Sequence, residues 1–214
     1  MGGPVGMMSA KIMLSAGALL FAGRVNMHYA TAMLDPAVTL TQVSKPFAAK
    51  IHLSDANARN SREVGIDRVE VPAGPLALNR QDDADLVLGS NVLRDIPLLV
   101  DLDHGHLHVM DKREYRRATA NMASVRIVQT SNGCFSLDVT DDGGRKMRAA
   151  FLSRPSASEL SGTPTVITIG RLRLIGLKPS GEWRCASNDV ALDWQSFAGH
   201  QILFDLAGKQ IWVS

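Results

Sequence analysis

Cysteine is scarce: two residues, Cys134 and Cys185, in 214. Two thiols cannot define the disulfide framework of a small secreted domain, and these do not stand at zinc-site spacing; whether they pair is left open by the sequence. Aromatic residues make up only 5% of the chain, and all three Trp (183, 194, 212) fall in the second half. Charge of one sign is lacking as well. A formal net charge of +2 is too mild to imply nucleic acid or an anionic membrane as partner. No apolar run reaches the ~20 residues that a membrane-spanning helix needs. No glycine-rich phosphate loop is present, so the chain is not a P-loop nucleotide binder. What it does have is 45% apolar residues, enough for one domain or for two of roughly 100 residues each.

One stretch organises the rest. Leu86-Val-Leu-Gly-Ser-Asn-Val-Leu-Arg-Asp-Ile-Pro-Leu-Leu-Val-Asp-Leu-Asp-His-Gly-His-Leu-His-Val109 reads as a tight Leu-Gly turn, a helical turn ending near Arg94, and strands over 97–102 and 106–109. Gly105 supplies the positive φ that such a hairpin corner needs. A similar stretch, 190–213, closes the chain. Without a gap, Asp85 falls on Asp189, Leu88 on Leu192, Asp101-Leu102 on Asp205-Leu206 and Val109 on Val213. A repeat of this period implies two copies of one small domain.

The segment 11–32 is ambiguous. Lys11 followed by an apolar run to Ala22, with Ala30-Thr-Ala32 downstream, has the look of a signal peptide. Val125–Val139, however, resembles Ala10–Val25, and there the Asn132-Gly133 turn and period-two alternation indicate strands. The strand reading is therefore preferred for residues 10–25. Further along, Ser44 is a helix N-cap with Pro46 in the first turn and a helix to Lys50. The polar run Ser54–Arg62 reads as an exposed hairpin tip or loop. Ile66–Val71 and Leu76–Leu78 read as strands around the Pro72-Ala-Gly-Pro75 turn. In the second half, 165–170 and 171–177 form the matching β-rich segment. The basic, polar stretch 111–122 lacks a strand pattern and is read as a solvated linker, not a nucleic-acid patch. This divides the chain into lobes 1–110 and 123–214 joined by 111–122.

Each half thus runs strand, hairpin strand ending in hydrophobic-hydrophobic-X, loop, β-rich middle, Leu-Gly-like turn and hydrophobic-Asp strand. This order resembles the retropepsin-like and pepsin-like aspartic peptidases, over almost the whole chain, as two tandem lobes. Leu88-Gly89…Val100-Asp101 carries the supporting signature of that family, and Met33-Leu34-Asp35-Pro36-Ala37-Val38-Thr39 matches its catalytic loop in spacing. Phe151-Leu152-Ser153-Arg154-Pro155-Ser156 matches only in frame. The resemblance implies an all-β, bilobed acid-protease-like fold: two β-barrel lobes related by a pseudo-twofold axis, with a central cleft.

The chemistry of that family needs two carboxylates sharing one proton. In the frame of the resemblance Asp35 survives, but Pro36 replaces the hydroxyl residue and Ala37 the glycine. In the second loop Ser153 stands for the aspartate, Arg154 for the hydroxyl residue and Pro155 for the glycine. Serine does not ionise usefully at neutral pH, and proline has no N–H to offer across the loops. Ser153 as a nucleophile would need a base, and neither loop carries a histidine. Pairing two Asp35 by dimerisation is disfavoured, because the second lobe already occupies that interface.

The expectation is an inactive homologue that binds an extended peptide or partner protein in or near the cleft. Asp35, Pro36, Ala37, Thr39, Ser153, Arg154 and Ser156 are the candidate lining residues, with no cofactor and no metal. The alternatives are an active aspartic endopeptidase with atypical loops around Asp35, and a structural domain without a cleft ligand. His104, His106 and His108 alternate as zinc ligands could, but a polar outer hairpin face is preferred. Asp82-Asp83…Asp85 reads as a solvated turn, lacking the regular oxygen spacing of a calcium loop.

Overall fold

The computed structural model describes residues 9–60, 63–66, 69–79, 84–129, 134–156, 159, 161–180, 185 and 187–214. In the first half the elements are β1 (Ser9–Ser15), β2 (Ala18–Val25), β3 (His28–Leu34), β4 (Gln42–Ser44), α1 (Lys45–Lys50), α2 (Asp55–Asn60), β5 (Glu63–Ile66), β6 (Val69–Pro72), β7 (Ala77–Asn79), β8 (Leu86–Leu88), α3 (Ser90–Asp95), β9 (Leu98–Asp101) and β10 (His106–Val109). Helix α4 (Lys112–Thr119) follows. The second half has β11 (Ala123–Gln129), β12 (Phe135–Asp141), β13 (Lys146–Phe151), β14 (Gly162–Ile169), β15 (Leu172–Pro179), β16 (Val190–Leu192), a 3-10 helix Trp194–Phe197, β17 (Gln201–Asp205) and β18 (Gln210–Val213).

Six strands in the order β1-β10-β9-β17-β18-β11 form one antiparallel sheet that joins the halves. At its centre Leu99 of β9 lies opposite Leu203 of β17, with Leu98 facing Phe204 and Val100 facing Ile202. Leu98, Val100, Ile202 and Phe204 are buried, so the joint is apolar on that face. Leu99 and Leu203 stand at the middle of the pairing that joins the halves. In the second half β12, β13, β16, β15 and β14 close a ring of hydrogen-bonded strands. In the first half the corresponding path β2-β3-β8-β4 ends on β7 instead, and β5–β6 hangs from β2.

Aspartates at matching places hold the two halves alike. The Asp85 carboxylate accepts from the Thr31 amide at 2.9 Å, and its own amide donates to the Thr31 carbonyl. Asp189 makes the same pair of bonds with Arg148. Asp101 accepts from the His104 amide and Asp205 from the Gly208 amide, closing the two terminal hairpins. These carboxylates satisfy backbone donors that would otherwise be orphaned at strand ends.

Residues 10–25 are the hairpin β1–β2, turning at Ala16-Gly17 with positive φ at both. Ser44 caps α1, accepting from the Phe47 amide, with Pro46 in the first turn. Two expectations need correction. The polar run after Ser54 is the helix α2: Ser54 Oγ accepts from the Asn57 amide, Ala58 is buried, and the Ala58 carbonyl accepts from the Leu76 amide. One buried residue suffices to hold so short a helix, leaving no apolar period to read. Second, Ile66–Val71 is no single strand, because Glu63–Ile66 and Val69–Pro72 pair as a hairpin. The stretch 111–122, which has no strand, carries α4, started by a capping box in which Asp111 and Glu114 satisfy each other's amides. The Asn132-Gly133 turn, Asp82-Asp83 and the end of the polar run at Ser61-Arg62 lie outside the described residues.

Cys134 and Cys185 are bonded to each other across a sequence separation of 51. They sit in a small apolar cluster with Ala150, Leu152 and Ala191, next to an aromatic core in which the Phe151 ring meets Trp194 edge-on at 4.8 Å. For a closed loop of this length chain entropy sets a stabilisation of about 4 kcal/mol. Cys134→Ser should therefore lower the urea midpoint markedly, and dithiothreitol should do the same to the wild type. An unchanged midpoint under reduction would refute the bond.

Burial pushes the Asp101 carboxyl up, but the His104 amide, the Gln201 side-chain amide and the His104 ring together bring it below the usual carboxylate range. A depressed carboxyl stabilises the fold above the unfolded-state value of ~3.9 and loses that contribution as pH falls through its folded value. Since Gln201 Nε2 donates to Asp101 Oδ2 at 2.7 Å across the central strand pair, acid should loosen the joint between the halves. Asp101→Asn should flatten the acid limb of stability against pH, read by urea unfolding at a series of pH values; an acid limb identical to that of the wild type would refute it.

Candidate functional site

Asp35 follows β3 directly, and the loop after it is stitched to the start of α3. The Asp35 amide donates to the Leu88 carbonyl, Ser90 to the Val38 carbonyl, and Asn91 to the Thr39 carbonyl. Thr41, fully buried, receives the Gly89 amide on its hydroxyl at 3.1 Å and passes its own amide and hydroxyl to Asn91 Oδ1, both at 2.8 Å. Gly89 is required here for lack of space. A Cβ would stand 2.7 Å from the Val38 carbonyl oxygen, closer than real contacts allow.

The second half keeps the start of this pattern only. The Leu152 amide donates to the Leu192 carbonyl, as Asp35 does to Leu88. Because Leu34 pairs with Leu88 and Phe151 with Leu192, the strand register sets Leu152, not Ser153, level with Asp35. The frame that aligned Ser153 with Asp35 is displaced by one residue. Ala149, Ala150 and Phe151 supply two acceptable hydrophobic-hydrophobic frames, and pairing with β16 decides between them. Leu152 turns into the disulfide cluster. At the place of Gly89 stands Asp193, whose carboxylate caps the 3-10 helix by accepting from Ser196 at 2.9 Å.

Ser153 nevertheless reaches Asp35. Its Oγ donates to Asp35 Oδ1 at 2.5 Å, and the Ala37 amide donates to the same oxygen at 3.1 Å. Both side chains are buried, Asp35 at 7% and Ser153 at 2% exposure. Asp35 Oδ2 receives no hydrogen bond from the described residues.

Asp35 opens on a cavity of about 570 Å³, lined from the first half by Ala16, Ala18, Leu20 and Met33 and from the second by Arg154, Pro155, Ser156 and Glu159. The tip of β1–β2 approaches the far loop: a Cβ on Gly17 would stand 3.2 Å from the Pro155 ring. The size suits a small-molecule or peptide side-chain site. Of the candidate residues, Asp35, Ser153, Arg154 and Ser156 come together here. Ala37 contributes its amide. Thr39 is exposed and only lends its carbonyl to α3, while Pro36 lines a different cavity. Ala157-Ser158 lie outside the described residues.

Glu159 escaped the sequence reading. It is buried at 7% exposure, and its Oε2 accepts from the Ser156 amide and hydroxyl at 2.9 and 3.0 Å. The Ser-x-x-Glu spacing at 156–159 was the available signal. The three histidines have separate partners: His104 engages Asp101, His106 faces Ser9, and His108 lies 3.2 Å from Glu114. Among the described residues no three ligating groups converge as a metal site, and no helix is long and apolar enough to cross a membrane.

No protein-family model matches the chain, and no curated protein matches it. Solved structures do match, 75 chains in all. The aspartic proteinase of Irpex lacteus superposes with a TM-score of 0.57 at 8% sequence identity, over 98% of this chain and 97% of that one. The likeness establishes an aspartic-proteinase-like fold.

Ser153→Ala removes one of the two donors on Asp35 Oδ1. A hydrogen bond to a charged group contributes about 1.5–3 kcal/mol, and urea unfolding at neutral pH should register a loss of that order, with Ser153→Thr largely retaining stability. An alanine variant as stable as the wild type would show that the hydroxyl does not hold the carboxylate.

Proposed function

We propose that this chain is a non-catalytic member of the aspartic-proteinase fold, whose cleft between lobes 1–110 and 123–214 receives an extended peptide. The observation that carries the reading is that Asp35 meets the hydroxyl of Ser153 and, among the described residues, no carboxylate. The family's reaction needs one carboxyl as base toward water and the other as acid toward the peptide carbonyl. A serine hydroxyl donates a hydrogen bond but does not take the base's part at neutral pH. It is not a nucleophile either, since no histidine lines the cavity. Asp35 Oδ2 and Arg154 then serve as polar anchors, with Leu20 and Met33 as apolar wall. An extended chain entering there would present alternate side chains to that wall.

One observation favours the second reading, an active endopeptidase. Glu159 shares the cavity with Asp35, so a second carboxylate is present in the same space. Its tie to Ser156 speaks against free pairing with Asp35.

Incubation with unfolded casein between about pH 3 and pH 7, with and without a hydroxyl-bearing transition-state mimic, separates the readings. The expected result is no inhibitor-sensitive cleavage together with saturable binding of peptides, weakened by Asp35→Ala. Inhibitor-sensitive cleavage abolished by Asp35→Asn, or by Glu159→Gln, would sink the non-catalytic reading. Absence of both cleavage and peptide binding would leave a structural role.

A further inference from the structure

Pro36 points away from the Asp35 cavity into a second one of about 450 Å³, lined also by Ser90, Arg94, Arg126, Ile127, Val128, Phe135, Leu206 and Lys209. Its walls come from both halves. The first contributes Pro36 and the α3 residues Ser90 and Arg94; the second contributes β11, the start of β12 and the turn between β17 and β18. Among the described lining side chains three are cations and none is a carboxylate. Four other cavities of similar size each carry at least one carboxylate: Asp138 and Asp189, Asp85, Asp35 and Glu159, and Asp189. The three cations have no side-chain hydrogen bond or ion pair among the described residues, unlike Arg24, Arg145 and Arg173, which are paired with Glu70, Asp141 and Asp142.

The remaining wall is apolar. Phe135 and Ile127 are buried against the core, and Pro36, Val128 and Leu206 complete the surface. Uncompensated positive charge over an apolar floor is what an anion with a hydrocarbon body requires. The head replaces water around the guanidinium groups with charge-assisted hydrogen bonds, and the body covers apolar surface. Arginine suits a carboxylate because its planar fork matches both oxygens. A phosphate or sulfate alone would leave the floor uncovered, and a neutral amphiphile would leave the cations unmet.

We propose that this second cavity binds an apolar-bodied carboxylate, with Arg94, Arg126 and Lys209 receiving the head group and Phe135, Val128 and Leu206 the body. A free fatty-acid-like anion and the C-terminal carboxylate of an apolar peptide share this chemistry. The site does not depend on the reading of the Asp35 cleft, and Asp35→Ala leaves its lining intact.

Isothermal titration with decanoate, decan-1-ol, acetyl-Leu-Leu-Phe and its C-terminal amide tests the assignment on the full chain. At least one of the two carboxylates should bind saturably, and whichever binds names the source; its neutral counterpart should bind at least about tenfold more weakly. Binding should weaken as salt rises. The variant R94Q/R126Q/K209Q alters exposed side chains only, so its circular dichroism should match the wild type while carboxylate binding falls at least about tenfold. Binding by neither carboxylate, equal binding of acid and neutral counterpart, or an unaffected charge-neutralised variant would overturn the proposal.

Discussion

Everything in this molecule depends on the antiparallel pairing of Leu98–Asp101 with Gln201–Asp205. Each of these strands is the penultimate strand of its own half, and each is already paired to a terminal hairpin partner. A free edge on either would be an open template for another chain. Pairing the two edges removes both at once, buries Leu98, Val100, Ile202 and Phe204, and brings the halves into a fixed relation. The loops after β3 and β13 then meet, Ser153 reaching Asp35, and the cavity holding Asp35 is lined from both halves.

What meets there is unequal. The first loop is held by the amides and hydroxyl of Gly89, Ser90, Asn91 and Thr41, so Asp35 stands on a built platform. The second loop keeps one such bond and gives the level position to Leu152, whose side chain packs with the disulfide. A buried carboxylate still needs donors. Ser153, one residue further on, supplies one where a second acid would need a shared proton. The aspartates at matching places of the two halves, Asp85 with Asp189 and Asp101 with Asp205, cap strand ends and support the fold.

The same inequality distributes charge. Carboxylates in four cavities are matched by hydrogen bonds or nearby cations, whereas the cavity beside Pro36 gathers Arg94, Arg126 and Lys209 with no acid among its described lining residues. Those residues are far apart in sequence: Arg94 lies on α3, Arg126 on β11 and Lys209 in the turn between β17 and β18. The pairing of β11 with β18 brings Arg126 beside Lys209, and the docking of the halves adds Arg94.

The amino-acid sequence by itself determined the elements whose signals are local. The Ser44 cap, the turn at Gly105, and the strands around Val100-Asp101 and Leu203-Phe204-Asp205 follow from periodicity, capping chemistry and turn residues, the strands β1 and β2 from their likeness to residues 125–139, and the acid-protease-like architecture from the resemblance of the element order. The helix after Ser54 and the β5–β6 hairpin were hidden because their stability comes from a single buried residue or from pairing partners elsewhere. Tertiary structure alone decided the register that exchanges Ser153 for Leu152, the burial of Glu159, the Cys134–Cys185 bond and the convergence of three cations. Each of these is a matter of contact between segments distant in the chain, and a strand written with adjacent small apolar residues, as at Ala149-Ala150, fits two frames equally until its neighbour's hydrogen bonds select one.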